Sequence, residues 1–65
     1  MRPSSASVPV ALIVDDDVAM RLLIRQTLER VGFVCHEAEN GIAALERFEQ
    51  ARPDIVLLDV VMPGM

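Results

Sequence analysis

The stretch Ala11-Leu12-Ile13-Val14-Asp15-Asp16-Asp17 decides the fold. Its four apolar residues do not alternate with polar ones, which predicts a strand covered on both faces, as in a parallel sheet. Three aspartates end this run at a single point. The pattern recurs where Ile55-Val56-Leu57-Leu58 is followed directly by Asp59. Two buried strands that both end in aspartate indicate an acidic cluster at one edge of a sheet.

Between these two strands, the apolar residues change to the spacing of an amphipathic helix. We expect this first helix to begin at Val18, with Asp17 as its N-cap, and to be stopped by Gly32. Residues 33–37 then predict a second strand. The apolar stripe of the helix, which we expect to lie in the core, comprises Met20, Leu23, Ile24, Thr27, Leu28 and Val31.

A second helix is predicted between Asn40, placed to cap it, and Pro53, which forces Arg52 out of helical geometry. The apolar side of this helix comprises Ala44, Leu45, Phe48 and Ala51. The element order is therefore β-α-β-α-β, and right-handed crossovers set the strands in the order 2-1-3. This is the first half of a doubly wound parallel α/β fold.

Length and composition indicate a piece of a larger domain. The chain has 65 residues, of which 52% are hydrophobic and 3% aromatic. So short a chain buries only about 60% of the surface that its unfolded form exposes, and its single cysteine, Cys35, cannot form an internal disulfide. We expect residues 1–9 to be a disordered tail and residues 10–65 to be the N-terminal half of one domain.

The charge and the apolar runs exclude several classes of function. Six arginines and no lysine oppose ten acidic residues, for a net charge of -4, so clustered phosphate contacts to nucleic acid are not expected. The longest apolar run is far shorter than the ~20 residues that span a membrane, and no signal peptide is predicted. A lone cysteine fits a reducing cytoplasm, which is the location that we expect.

The aspartates carry the predicted chemistry. Since parallel strands end at the same edge, Asp15 and Asp16 should lie beside Asp59 despite their separation in the chain. Carboxylates so close repel one another unless a cation binds, and hard oxygen ligands suit Mg²⁺ facing a phosphoryl group. A single aspartate after a strand is often only a cap, as we expect for Asp17, but the joint pattern is poorly explained in that way.

Three segments together resemble the receiver domain of bacterial two-component response regulators, over residues 10–65. They are Ala-Leu-Ile-Val-Asp15-Asp16-Asp17, then Glu39-Asn40-Gly41-x-x-Ala44-Leu45, and finally Pro53-Asp54-Ile-Val-Leu-Leu-Asp59-Val-Val-Met62-Pro63-Gly64. The resemblance implies the N-terminal half of a flavodoxin-like doubly wound sheet. It also implies a phosphorelay signalling module rather than an enzyme, at most one that phosphorylates or dephosphorylates itself.

The resemblance further assigns roles to individual residues. Asp59 would be the phosphoacceptor, taking a phosphoryl group from a sensor histidine kinase and switching an output domain that this chain does not contain. Asp16 and Asp59 would bind Mg²⁺ directly, the backbone carbonyl of Val61 would be a third ligand, and Asp15 would act mainly through a coordinated water.

The resemblance also shows what the chain lacks. Receiver domains use a Thr or Ser after the fourth strand and a Lys after the fifth, whereas this chain ends after three predicted strands and contains no Lys. We therefore expect poor phosphorylation of the 65-residue chain alone. Without a fourth strand, the third presents an unpaired edge, and we expect self-association through that edge or cover by a C-terminal half.

Two other functions compete with this interpretation. The first is a phosphatase resembling the haloacid dehalogenase family, with Asp15 as the nucleophile and Asp17 as its partner. In that family's pattern, however, Ala19 occupies a position that should be Thr or Val, and the segment from Asp59 to Gly64 is unexplained. The second is a purely structural fragment whose aspartates bind nothing.

Overall fold

A computed structural model describes residues 8–58 of the chain. Asp59 and Val61 lie outside these residues, as does most of the predicted N-terminal tail, so the assignments made for them stay predictions. The described elements follow the predicted order: β1 (Val10–Val14), α1 (Val18–Arg30), β2 (Val34–Ala38), α2 (Gly41–Ala51) and β3 (Ile55–Leu58).

The three strands form one parallel sheet in the order β2-β1-β3, which confirms the predicted topology. Their register aligns the carboxyl ends of the strands, because Val14 pairs with Ala38 on one side and with Leu58 on the other. The carboxyl ends of β1 and β3 therefore lie side by side at one edge of the sheet.

Strand β1 is the core of the described structure. Its last four residues are buried, and Leu12 and Ile13 are almost completely enclosed. On one face of the sheet, Leu12 and Val14 pack with Ala38 of β2 and with two small residues of α2, Ala43 and Ala44. Both faces of β1 are covered because α1 also contacts it. The unbroken apolar run of the sequence thus corresponds to the most buried strand.

Helix α1 has caps at both ends. At its N-terminus, Asp17 Oδ1 accepts hydrogen bonds from the backbone N–H groups of Ala19 and Met20, at 2.9 and 3.2 Å. At its C-terminus, Gly32 has a φ of 102°, and the N–H groups of Gly32 and Phe33 donate to the carbonyls of Glu29 and Leu28. These two hydrogen bonds are the pair that defines a Schellman motif.

Strand β2 begins one residue later than predicted because of the C-terminal cap of α1. The sequence predicts the strand at residues 33–37, whereas it begins one residue later, at Val34. The N–H of Phe33 is engaged with Leu28 in the cap, so the first residue free to pair with β1 is the next one.

Helix α2 is bounded as predicted. The side chain of Asn40 accepts from the N–H of Ala43 at 2.8 Å, and Arg52, the residue before Pro53, has a left-handed φ of 50° that ends the helix. Within residues 8–58, neither helix is long and apolar enough to cross a membrane.

The predicted core face of α1 is wrong in part. The side that meets the sheet carries Ile24 and Leu28 from the apolar stripe, but also Arg21 and Arg25. Met20, Leu23 and Val31 are exposed, with 58% of the Leu23 surface accessible. Within the described residues, both helices contact β1 and β2, and neither contacts β3. The exposed residues of the α1 stripe therefore lie outside the area where the helix packs on β1 and β2.

Strand β3 is apolar and exposed. All four of its residues are accessible to solvent, up to 63% at Leu58. One edge of β3 pairs with β1, and in residues 8–58 the other edge pairs with no strand. The sequence pattern identified a strand suited to burial on both faces, and the described part of the chain covers neither.

Candidate functional site at the carboxyl edge of the sheet

The acidic residues after β1 occupy three different environments. Asp15 continues the pairing of β1 with β2, since its N–H donates to the carbonyl of Ala38 at 3.1 Å, and only 2% of its surface is accessible. Asp16 is exposed. Asp17 is the N-cap of α1, as predicted. One buried and one exposed carboxylate therefore stand side by side at the carboxyl edge.

Asp15 is fixed at all of its polar atoms except one. Its carbonyl oxygen accepts from Arg21 Nη1 at 2.7 Å, and its Oδ1 accepts from the N–H of Asp17 at 2.9 Å. Its Oδ2 is buried and has no hydrogen-bond partner in the part of the chain that the structure describes. A buried carboxylate oxygen without a partner is costly, so the position favours a partner that carries positive charge.

Asp15 and Asp16, which are neighbours in the chain, are the two predicted metal-site residues that the structure describes, and their role as ligands stays a prediction. The other two predicted metal-site residues, Asp59 and Val61, lie outside the described residues. In sequence Asp59 directly follows Leu58, and Leu58 is the register partner of Val14. No group of three or more potential metal-ligating side chains occurs within residues 8–58, which leaves two of the three predicted acidic ligands in the described site.

An open cavity of about 500 Å³ adjoins Asp15. It lies between α1 and β3 and is lined by Val14, Asp15, Met20, Ile24, Leu57 and Leu58. Among the described residues of this lining, Asp15 is the one that carries a charge. The cavity walls are therefore apolar except at the edge of the sheet, where the carboxylate lies.

Behind Asp15, four charged side chains form a network that the sequence pattern did not reveal. Glu37 of β2 accepts from Arg21 Nε at 2.8 Å through Oε1 and from Arg25 Nη1 at 2.6 Å through Oε2. Arg25 also pairs with Glu29 at 2.9 Å. The available signal was the spacing of Arg21 and Arg25, one helical turn apart, opposite an acidic residue in a short strand.

The network changes the proton affinity of its members. Hydrogen bonds from Arg21 and then from Arg25, aided by their positive charges, hold the pKa of Glu37 below its ordinary value, although burial opposes this. Hydrogen bonds to Glu29 and Glu37 raise the pKa of Arg25. Glu37 is therefore held as a carboxylate between two guanidinium groups.

Cys35 and His36 do not form a ligand pair. As neighbours in β2, they have side chains on opposite faces of the sheet. The Sγ of Cys35 lies 3.9 Å from the carbonyl oxygen of Arg25, and burial is the main cause that raises the pKa of this half-buried thiol.

Fold and site together define a class of protein: a doubly wound α/β domain that carries adjacent carboxylates at the carboxyl edge of its central strand. The chain matches the response regulator receiver domain family over residues 11–65. It belongs to that family, which confirms the resemblance drawn from the sequence.

The relatives are signalling proteins of several kinds. The chain is 47% identical over 55 residues to the chemotaxis protein CheY of Bacillus subtilis, covering 83% of this chain and 46% of the relative. It is 43% identical over 54 residues to sporulation initiation phosphotransferase F of the same organism, with coverage of 83% and 44%. It is 45% identical over 53 residues to the transcriptional regulatory protein ResD, also from Bacillus subtilis. That match covers 82% of this chain and 22% of the relative. The chain thus spans less than half the length of these relatives.

Membership of the family decides against the phosphatase alternative. The structure gives an independent reason, because a nucleophile must reach its substrate. Asp15 is 2% exposed, and its Oδ1 is engaged by the N–H of Asp17. A carboxylate so enclosed is better placed to bind a small cation than to attack a phosphate ester.

Replacing Glu37 with Gln should reduce the dependence of stability on pH. Because the folded chain holds the pKa of Glu37 below 4.5, its ordinary value, ionised Glu37 stabilises the fold above that pH, and the contribution is lost as pH falls through the lower, folded-state pKa. The free energy of unfolding from urea titrations should therefore differ between wild type and Glu37→Gln at about pH 7, and much less at about pH 3.

The matched control is Glu49→Gln, which makes the same charge change at an exposed position on α2. It should leave stability nearly unchanged at both pH values. If Glu37→Gln and wild type differed equally at both, the ion pairs would not stabilise the fold.

Proposed function

We propose that this chain provides the phosphoacceptor segment of a phosphorelay receiver, with Asp59 as the residue that is phosphorylated. The observation that carries the proposal is the buried Oδ2 of Asp15, which has no hydrogen-bond partner among residues 8–58. It lies at the edge where β1 and β3 end in register, and Asp59 is the next residue after β3.

The residues present fit Mg²⁺, since the donor set consists of hard oxygen atoms. Asp15, Asp16 and Asp59, with the backbone carbonyl of Val61, would hold the ion. When bound, Mg²⁺ would offset the negative charge that the carboxylates and an incoming phosphoryl group bring together. Asp15 contributes a carboxylate whose position is fixed, and the exposed Asp16 contributes one that solvent can reach.

In the transfer itself, a carboxylate oxygen of Asp59 forms a bond to phosphorus. The bond from phosphorus to the histidine nitrogen of the kinase breaks, and the imidazole leaves. The product is an acyl phosphate on Asp59. Such a transfer depends on positioning and on electrostatic stabilisation more than on covalent chemistry supplied by the protein. The N-terminal end of α1, close to Asp15, adds a partial positive charge.

The proposed partner is a cytoplasmic sensor histidine kinase. The names of the relatives refer to chemotaxis, sporulation and transcription. This range supports a module that receives a signal and passes it to different outputs. The acidic net charge of -4 argues against direct contact between this segment and nucleic acid. Its role is signalling, and the chemistry it undergoes is confined to its own Asp59.

Asp59→Asn should abolish phosphorylation in the full-length protein that contains this segment. The substitution removes the nucleophilic oxygen and keeps the size of the side chain. The measurement is the incorporation of acid-labile phosphate from acetyl phosphate, or from a kinase, in the presence of Mg²⁺.

The control is Asp54→Asn, the same change at the other end of β3. Asp54 accepts from the N–H of Val10 at 2.7 Å, and asparagine retains an oxygen that can do so. Asp54→Asn should be labelled like the wild type. Labelling that persisted in Asp59→Asn would refute the assignment.

We also propose that the 65-residue chain self-associates through β3 when nothing else covers that strand. Within residues 8–58, β3 is accessible on both faces and pairs along one edge only. Its apolar side chains and unpaired backbone groups form the kind of edge that recruits another strand. Cover by a C-terminal half would make this association unnecessary.

Val56→Lys should shift the purified chain towards monomer, because a lysine on an edge strand opposes pairing. Light scattering at micromolar concentration should give the wild type a mass above that of the monomer. Val18→Lys, at an exposed position of α1, is the control and should leave the mass unchanged. A wild-type chain that is monomeric, and folded by circular dichroism, would contradict the proposal.

A further inference from the structure

We infer that Arg21 is a positioning residue of the acidic site, which holds Asp15 in place so that Oδ2 can meet a divalent cation. The inference rests on the proposed function, since it concerns the same site. Arg21 is on α1, and its hydrogen bonds to other described residues go to Glu37 and to the carbonyl of Asp15, not to the carboxylates of Asp15 or Asp16. It acts through the backbone of the residue that carries one of them.

The guanidinium of Arg21 joins three elements. Its Nη1 donates to the carbonyl of Asp15 at 2.7 Å, at the end of β1, and its Nε donates to Glu37 of β2 at 2.8 Å. Only 15% of the side chain is accessible, so water competes little for these bonds. The planar fork of arginine satisfies both acceptors at once, and the end of β1 is thereby tied to the sheet and to the helix.

The hydrogen bond from Arg21 affects the position of Asp15 Oδ2, because the other polar atoms of Asp15 are also hydrogen-bonded. Its N–H is engaged by Ala38, its carbonyl by Arg21, and its Oδ1 by the N–H of Asp17. With backbone and one carboxylate oxygen fixed, the direction of Oδ2 is determined as well. Loss of the bond from Arg21 frees the peptide that links the strand to the Asp16–Asp17 turn, and Oδ2 loses its defined position.

Glu37 makes this arrangement compatible with a cation nearby. A lone guanidinium behind Asp15 would repel a divalent ion, but Glu37 pairs with Arg21 and also with Arg25. Its lowered pKa, caused by those two hydrogen bonds, keeps it charged. Arg21 can therefore position Asp15 while much of its charge is offset.

Arg25 provides the matched comparison. It binds the same carboxylate, Glu37, at 2.6 Å, it lies one turn further along α1, and its contacts do not include Asp15. A purely structural network predicts that Arg21→Ala and Arg25→Ala both lower stability without changing cation binding. A positioning role predicts that only Arg21→Ala weakens cation binding.

The test measures Mg²⁺ affinity in wild type, Arg21→Ala and Arg25→Ala by NMR titration of the Asp15 and Asp16 amide resonances. In the metal-free chain, hydrogen exchange of the Asp17 amide is measured as well, because that N–H donates to Asp15. Arg21→Ala should lower the Mg²⁺ affinity by about tenfold or more, as loss of outer-shell partners does, and should speed exchange of the Asp17 amide. Arg25→Ala should do neither.

Arg21→Lys keeps the charge but cannot donate to both acceptors in the same planar geometry. It should restore part of the affinity, and it serves in place of Arg21→Ala if the alanine variant does not fold. The inference is overturned if either Arg21 variant binds Mg²⁺ and protects the Asp17 amide as well as the wild type does. Absence of Mg²⁺ binding in the wild type would instead overturn the proposed function, while hydrogen exchange would still decide whether Arg21 holds the turn.

Discussion

The end of β1 is held by bonds from three directions, and the site depends on that constraint. Asp15 is paired to β2 through its N–H, to α1 through the guanidinium of Arg21, and to the following turn through its own Oδ1. Four apolar residues anchor the strand before it. The fold thus keeps a buried carboxylate oxygen that finds no hydrogen-bond partner among the described residues, an arrangement that stability alone does not favour.

The three strands of the sheet are buried to different extents, because the helices cover only part of the sheet. Both helices cover β1 and β2, whereas β3 and the outer part of the α1 stripe remain exposed. These surfaces adjoin the open cavity beside Asp15.

The sequence was sufficient to predict element order and both helix N-caps, because those depend on local patterns such as apolar runs, caps and Pro53. Strand order followed from the right-handedness of the crossover connections. The sequence also proposed Asp15 and Asp16 as metal ligands, and that role stays a prediction. It misjudged the face of α1, because periodicity locates an apolar stripe without telling which part of it meets the sheet. It missed Arg21, since a charged residue beside an apolar stripe has the same pattern whether it is solvated or bonded to Glu37. Three-dimensional proximity alone distinguishes the two.

The most direct test of the account is Mg²⁺ binding by Asp15→Asn, with Asp17→Asn as the control for the same charge change two residues away. Asparagine is as good an N-cap as aspartate, so the control should bind like the wild type. Asp15→Asn should lose Mg²⁺ affinity by about tenfold or more, because a charged ligand is removed, while the free energy of unfolding of the metal-free chain should not fall. Unchanged Mg²⁺ affinity together with lower stability would show that Asp15 is structural, and would contradict the account.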